Sequence, residues 1–150
     1  MRVVLQRVNQ AKVTIENKGS ENISKGIVVL LGIEMADNSD DVDWLVNKVL
    51  NLRIFDDANG VMNRSLMDIQ GELMVVSQFT LLAATKKGNR PSYIRAANHS
   101  HAIPLYEAFI EKAQLLLGSK VASGSFGAMM QVALENDGPV TIWIDSKNKE

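Results

Sequence analysis

The chain has 150 residues, 46% of them apolar and 22% charged, with a net charge of −1. That length supports one domain with a proper core, and the charge excludes a uniformly basic nucleic-acid binder. Cysteine is absent, which removes disulfides, thiolate nucleophiles and Cys-ligated zinc. No apolar run approaches the ~20 residues of a membrane span, and the first residues lack the apolar stretch of a signal peptide, so a cytoplasmic protein with no membrane partner is expected.

Residues 2–8 alternate as a strand does, and Ala11–Glu16 reads as a second strand after a short Asn9-Gln10 connection. Asn17-Lys18-Gly19-Ser20 is turn chemistry. The β-branched run Ile27–Ile33 marks a central strand buried on both faces. Asp37–Asp41 sets capping side chains beside acidic first-turn residues, which starts a helix. Val42, Leu45, Val46, Val49 and Leu50 form its apolar stripe, with Trp44 off it. Leu52–Phe55 reads as a short strand and Asp56–Gly60 as a turn.

Glu72–Leu81 is the next strand. Its apolar start gives way to Ser77-Gln78-Phe79-Thr80, polar groups at the end of a buried element, where a rigid backbone can hold a site beside open loops. Residues 83–100 have little periodicity and read as a functional or mobile loop. A second helix is expected from about Ala102 to Leu117, with Tyr106, Phe109, Ile110, Ala113, Leu116 and Leu117 facing the core, Pro104 in the first turn and Gly118 as the stop. A short strand within Val121–Phe126, then Ala128–Glu135 and Val140–Asp145, complete the chain, with a loop from Asn136 to Thr141 and a frayed polar tail over 146–150. About seven strands and two principal helices make a single α+β domain over 1–150: a curled, barrel-like, mainly antiparallel or mixed sheet with the helices packed outside.

Three groups of residues compete for chemistry. Ser77 and Thr80 are hydroxyls, but a hydroxyl nucleophile needs a base beside it, and no spacing ties either to His99 or His101, the only histidines. A metal-free Ser/Thr hydrolase using those histidines therefore stays open without support. The same strand end could instead offer backbone N–H groups to an oxyanion. His99-Ser100-His101 lacks neighbouring carboxylates and makes a poor metal set, so neither metal nor cofactor is expected. The second group is Lys86-Lys87-Gly88-Asn89-Arg90-Pro91-Ser92-Tyr93, in a window from Leu73 to Tyr106 without one acidic residue; cations with an aromatic suit phosphate contact and base stacking. A non-catalytic RNA-binding module using residues 86–95 is the alternative reading. The third is Gly138-Pro139, whose carbonyls would face a ligand if the bond were cis.

Ser77-Gln78-Phe79-Thr80-Leu81, Lys86–Tyr93, Gly127-Ala128-Met129-Met130-Gln131-Val132 and Asn136-Asp137-Gly138-Pro139-Val140-Thr141 resemble the signature segments of D-aminoacyl-tRNA deacylases, in order and spacing. Met1–Val8 and Asn51–Phe55 are similar too; Tyr93, where the family often has Phe, and Ala83-Ala84-Thr85 depart from it. The resemblance implies hydrolysis of the ester joining a D-amino acid to the 3′-terminal ribose of tRNA by a homodimer with its active sites at the subunit interface. It implies a cis Gly138-Pro139 reaching into the partner's pocket and binding the substrate α-amino group through two carbonyls. An L side chain would then meet the backbone, while glycine would pass. Ser77, Gln78, Phe79 and Thr80 are carried over as the catalytic segment, with Arg7 bracing the Gly-Pro segment, Phe126 and Met130 lining the pocket, and Lys86, Lys87 and Arg90 touching tRNA. Thr80 is either a nucleophile or a neighbour of the main-chain oxyanion site, with the substrate 2′-OH assisting water. The absence of a base for Thr80 favours the second.

Overall fold

The computed structural model describes all residues from Met1 to Glu150. Eight strands and two α-helices follow the chain: β1 (Arg2–Ile15), β2 (Gly19–Ile23), β3 (Gly26–Gly32), α1 (Ser39–Asn51), β4 (Phe55–Asp56), β5 (Met62–Arg64), β6 (Glu72–Ser77), a 3₁₀ helix (Phe79–Leu82), α2 (His99–Leu117), β7 (Ala122–Ser123) and β8 (Met130–Asp145). The main sheet runs β2-β1-β3-β6-β7, and β8 pairs with β1 along its other edge. Pairs β3–β6 and β6–β7 are parallel and the others antiparallel, so the curled sheet is mixed, as expected.

The strand expected to be central is central. β3 lies between β1 and β6 and is buried along nearly its whole length. One face packs Val3, Leu5, Ile27, Val29, Leu31 and Val75 under both helices. The other packs Val8, Ala11, Val13, Val28, Met74 and Val76 inside the curl. The switch of Val3 and Leu5 to one face and Ala11 and Val13 to the other requires a change of strand parity. β1 makes that change at Asn9, where the register against β8 slips between Val8 and Gln10. Asn9-Gln10 is therefore a bulge within one long strand and not a connection between two.

β8 corrects a second expectation in the same way. Asn136–Thr141 is not a loop between two strands; β8 continues through it. Gln6 faces Thr141 and Val8 faces Asn136, so Asp137, Gly138, Pro139 and Val140 all stand opposite Arg7 alone. The segment is a large bulge fed by paired strand on both sides.

Other boundaries move for local reasons. α1 begins where expected, with Asn38 accepting from the Asp40 and Asp41 N–H groups and Asp41 returning a bond to Asn38 N–H. α2 begins at His99, earlier than Ala102, because Asn98 caps it by accepting from His101 N–H at 3.0 Å; Pro104 falls in the second turn. Gly118 ends α2 in the left-handed conformation, donating to Gln114 O at 2.9 Å. Leu116 belongs to the exposed face of α2 and not to its core stripe. Leu52–Ile54 is not strand; only Phe55–Asp56 pairs, with the short β5. Glu72–Leu81 is strand only as far as Ser77. The tail from Ser146 starts tied down: Ser146 N–H donates to Met1 O at 2.8 Å, its hydroxyl donates to Asp41 at 2.7 Å, and Lys147 Nζ pairs with Asp41 at 2.7 Å.

Candidate active site

β6 runs parallel to β3 with Ser77 beside Leu31, and the ladder ends when Gln78 N–H donates to Leu31 O at 2.7 Å. The chain then turns into the 3₁₀ helix, with Leu81 N–H donating to Gln78 O at 3.2 Å and Ala83 N–H to Thr80 O at 3.1 Å. Gly32, at the end of β3, permits this turn. A Cβ there would stand 3.0 Å from Gln78 O and 3.1 Å from Leu81 Cβ. Arg2 braces the same turn, donating from Nη1 to Leu81 O at 3.2 Å. The Gln78 side-chain amide donates to Thr80 Oγ1. An amide cannot act as a base, and no carboxylate or imidazole bonds to Thr80.

The 83–98 segment folds across this end. Its root is fixed by Ala97 N–H to Ile33 O at 2.9 Å, an isolated bridge between Glu34 and Ala96, and an Arg95–Glu34 ion pair at 2.9 Å. Ala84 and Ser92 pair across its neck. Lys86, Lys87 and Arg90 lie at the exposed tip and enter no ion pair.

Between the β6 end, the Tyr93–His99 segment and the 126–132 turn lies a cleft of about 630 Å³. Ser77, Gln78, Phe79, Phe126 and Met130 line it, so five of the residues singled out from sequence come together. Phe79, 55% exposed, meets Tyr93 edge to face at 5.0 Å. Phe126 meets Tyr106 at 5.6 Å, and the Tyr106 hydroxyl donates to Val75 O at 2.9 Å, anchoring this wall to the core. Burial pushes the Tyr106 phenol well above its ordinary range. Thr80 is adjacent in the 3₁₀ helix but does not line the cleft, and neither do Arg7, Gly138, Pro139, Lys86, Lys87 or Arg90. A smaller hollow of about 230 Å³ between Trp44 and Trp143 contains none of the candidate residues.

Gly138 and Pro139 are exposed on the β8 bulge, and their peptide bond is cis. Arg7, buried behind them, pairs through Nε with the Asp137 carboxylate at 3.0 Å and donates to Asp137 O at 3.3 Å and to Ile54 O. Its distance to Asp56 is 3.7 Å. Gly138 has φ +112°, and a Cβ on it would come within 2.7 Å of Arg7 Nη2. The two ends of the bulge are tied to each other. Asn136 Nδ2 donates to Arg7 O at 2.8 Å and to Val140 O at 3.1 Å, while Thr141 Oγ1 donates to Asn136 Oδ1 at 3.3 Å.

The description D-Tyr-tRNA(Tyr) deacylase belongs to the family model that matches residues 4–145. A D-aminoacyl-tRNA deacylase of Flavobacterium psychrophilum is 60% identical over 150 residues, 100% of both chains. The chain belongs to the D-Tyr-tRNA(Tyr) deacylase family. It is therefore an enzyme, a hydrolase acting on the ester of an aminoacyl-tRNA. A solved structure named c-Myc DNA Unwinding Element Binding Protein superposes with TM-score 0.90 at 41% identity, covering 97% of this chain and 98% of that one. A second, "a probable eukaryotic D-amino acid tRNA deacylase", gives 0.84 at 18% identity over 95% and 97%, a likeness of fold.

For this family member, sequence reasoning missed His99 as part of the cleft wall, together with Asn98, Ala96 and Ala97. It set His99 and His101 together as a pair. On α2 they diverge, with His101 Nε2 3.0 Å from Asp37 O and His99 at the cleft. The signal was present in Asn98, a capping residue that places the next side chain at the first position of a helix. Asn136 and Thr141, part of the segment that resembles the family signature, stand at either end of Gly-Pro and clamp the bulge. No helix is long and apolar enough to cross a membrane.

Proposed function

We propose that this deacylase removes D-amino acids from tRNA and refuses L-aminoacyl-tRNA by means of Gly138 and Pro139. The single observation that carries the reading is their placement. They stand exposed on a bulge braced by Arg7, Asn136 and Thr141, and they are absent from the walls of their own chain's cleft. Such a bulge is suited to enter the Ser77–Phe79 cleft of a second copy, which makes a homodimer with two shared sites. The Gly138 and Pro139 carbonyls accept hydrogen bonds from the substrate α-amino group. With that group and the ester fixed, an L side chain is driven into backbone, whereas a D side chain or the hydrogen of glycine is not. Glycyl-tRNA is accordingly a substrate.

The oxyanion is held by main-chain N–H groups at Phe79 and Thr80, the first residues of the 3₁₀ helix, whose amides have no acceptor within it. The attacking water is assisted by the substrate's own 2′-OH. This is favoured over a Thr80 nucleophile because the only side chain bonded to Thr80 Oγ1 is the Gln78 amide. Lys86, Lys87 and Arg90 contact tRNA phosphates, where unpaired exposed cations release counterions on binding.

The test is hydrolysis of matched D- and L-aminoacyl-tRNA by the purified chain. The expected result is turnover of the D ester and of glycyl-tRNA with the L ester spared. Equal rates on both enantiomers would sink the filter. Salt-dependent tRNA binding without turnover would favour an RNA-binding module instead.

A further inference from the structure

The cleft wall is largely apolar, and in such a bowl a few free polar groups decide how a ligand lies. One N–H of the Gln78 amide donates to Thr80 Oγ1. The Asn98 side-chain oxygen accepts from His101 N–H at 3.0 Å and from the Ser100 hydroxyl at 2.9 Å. The Gln78 side-chain oxygen and the Asn98 amide nitrogen bond to no protein atom, and neither do the side-chain polar groups of the lining residues Ser77, Tyr93 and His99.

His99 differs from the others in being held back to the core, whereas the ring that meets Tyr93 is the exposed Phe79. It is the first residue of α2, and its ring meets Phe126 edge to face at 5.6 Å and 79°. Phe126 in turn rests on the buried Tyr106, so the imidazole is buttressed back to the core. Its Nε2 lies over Gly127, 3.5 Å from where a Cβ would stand. A ring oriented by packing, yet with both nitrogens free, is prepared for a ligand in the cleft. The surroundings do not suit a general base. No carboxylate or carbonyl orients the imidazole, the cleft wall holds no Asp or Glu, and Ser77 makes no hydrogen bond to it.

We propose that His99 is a substrate-binding residue whose imidazole hydrogen-bonds the 3′-terminal nucleotide of the aminoacyl-tRNA, setting the ester against the Ser77–Phe79 strand end without exchanging a proton with the reacting atoms. The assignment rests on the deacylase reading above. The first measurement is therefore wild-type turnover of D-aminoacyl-tRNA; its absence removes that reading and this assignment together. With turnover established, His99→Ala raises KM about three- to tenfold and changes kcat by less than about twofold, the size of one lost hydrogen bond. The pH profile of kcat keeps its shape, and His99→Gln, which retains a donor and an acceptor, recovers part of the loss. Adenosine 5′-monophosphate carrying a 3′-D-alanylamino group, an amide mimic of the ester, loses affinity for His99→Ala by the same factor in calorimetry. Unchanged KM together with unchanged affinity for the mimic would overturn the proposal. So would a fall in kcat beyond about a hundredfold with loss of one limb of the pH profile, which would make Ser77 and His99 a catalytic pair.

Discussion

Arg7 is 7% exposed, and strand parity places it there, on the same face of β1 as Val3 and Leu5. A guanidinium in that position reaches Asp137, Asp56 and the Ile54 carbonyl at once, which a single ammonium cannot do. Arg7→Ala leaves the half-exposed acids to water but strips the bulge of its support; the expected loss is about 2 kcal/mol in denaturant melts, with D-aminoacyl-tRNA turnover down at least about tenfold. Arg7→Lys recovers little of either. Gly138→Ala acts on the same contact from the other side. Its new methyl group meets Arg7 Nη2, and φ +112° is a conformation L residues rarely adopt, so a cost of roughly 1–3 kcal/mol is expected. Because the clash is shared, the two substitutions are not additive: adding Gly138→Ala to an Arg7→Ala background costs less than it does alone. Full additivity in the double-mutant cycle would show that Arg7 does not hold Gly138.

The 3₁₀ turn after β6 carries the mechanistic choice, since Thr80 lies on it outside the cleft wall. Thr80→Ala keeps kcat within about tenfold of wild type if the main chain holds the oxyanion, whereas loss of a nucleophile would cost several orders of magnitude. Sequence pattern read the β6 strand correctly but ran it through Leu81, because alternation of apolar and polar residues does not register where a ladder partner ends. β3 stops pairing with β6 at Leu31, opposite Ser77, and that is a tertiary fact. The same limit split β1 and β8, where bulges interrupt the period without interrupting the strand. The two helices, the central strand and the Ser77-Gln78-Phe79 strand end were legible because their signals are local, whereas Phe126 and Met130 were reached only through the family resemblance. The separation of Gly138-Pro139 from the cleft of its own chain was not legible. Where β1, β8 and α1 meet, carboxylates set the acid stability. Burial raises the Asp145 carboxyl, but bonds from Arg2 and the Lys147 and Asn148 N–H groups outweigh it. Asp41 is lowered likewise, with Lys147, Ser146 and Asn38 N–H overcoming burial. A carboxyl with a depressed folded-state pKa stabilises the fold at every pH above its unfolded value, about 3.9, and this contribution is lost as pH falls through the folded value. Melting temperature therefore drops below about pH 4. Asp145→Asn melts several degrees lower than wild type at pH 7, and the gap narrows toward pH 3.

Across the molecule, one chain displays a cleft and a bulge that do not meet within it, and a site needing both requires a second copy. In the two-fold dimer proposed above each bulge would enter the other subunit's cleft, making the two sites equivalent and each dependent on both chains. Two inactive variants then repair each other. Let one chain carry Gly138→Ala, which spoils its bulge, and the other Ala128→Trp, which fills its cleft at a lining position. In a mixed dimer one site combines the spoiled bulge with the filled cleft and is dead, while the other combines two intact parts. Random exchange of equal amounts makes about half the dimers mixed, each with one working site of two, so turnover returns to about a quarter of the wild-type level. The measurement is D-aminoacyl-tRNA hydrolysis after refolding the two variants together, compared with the same proteins refolded apart. A site built within one chain predicts no recovery, because neither variant then contains an intact one. Recovery near a quarter, seen only after refolding together, would place the bulge of one subunit in the cleft of the other, because an exchange that left each site within its own chain could not restore either part.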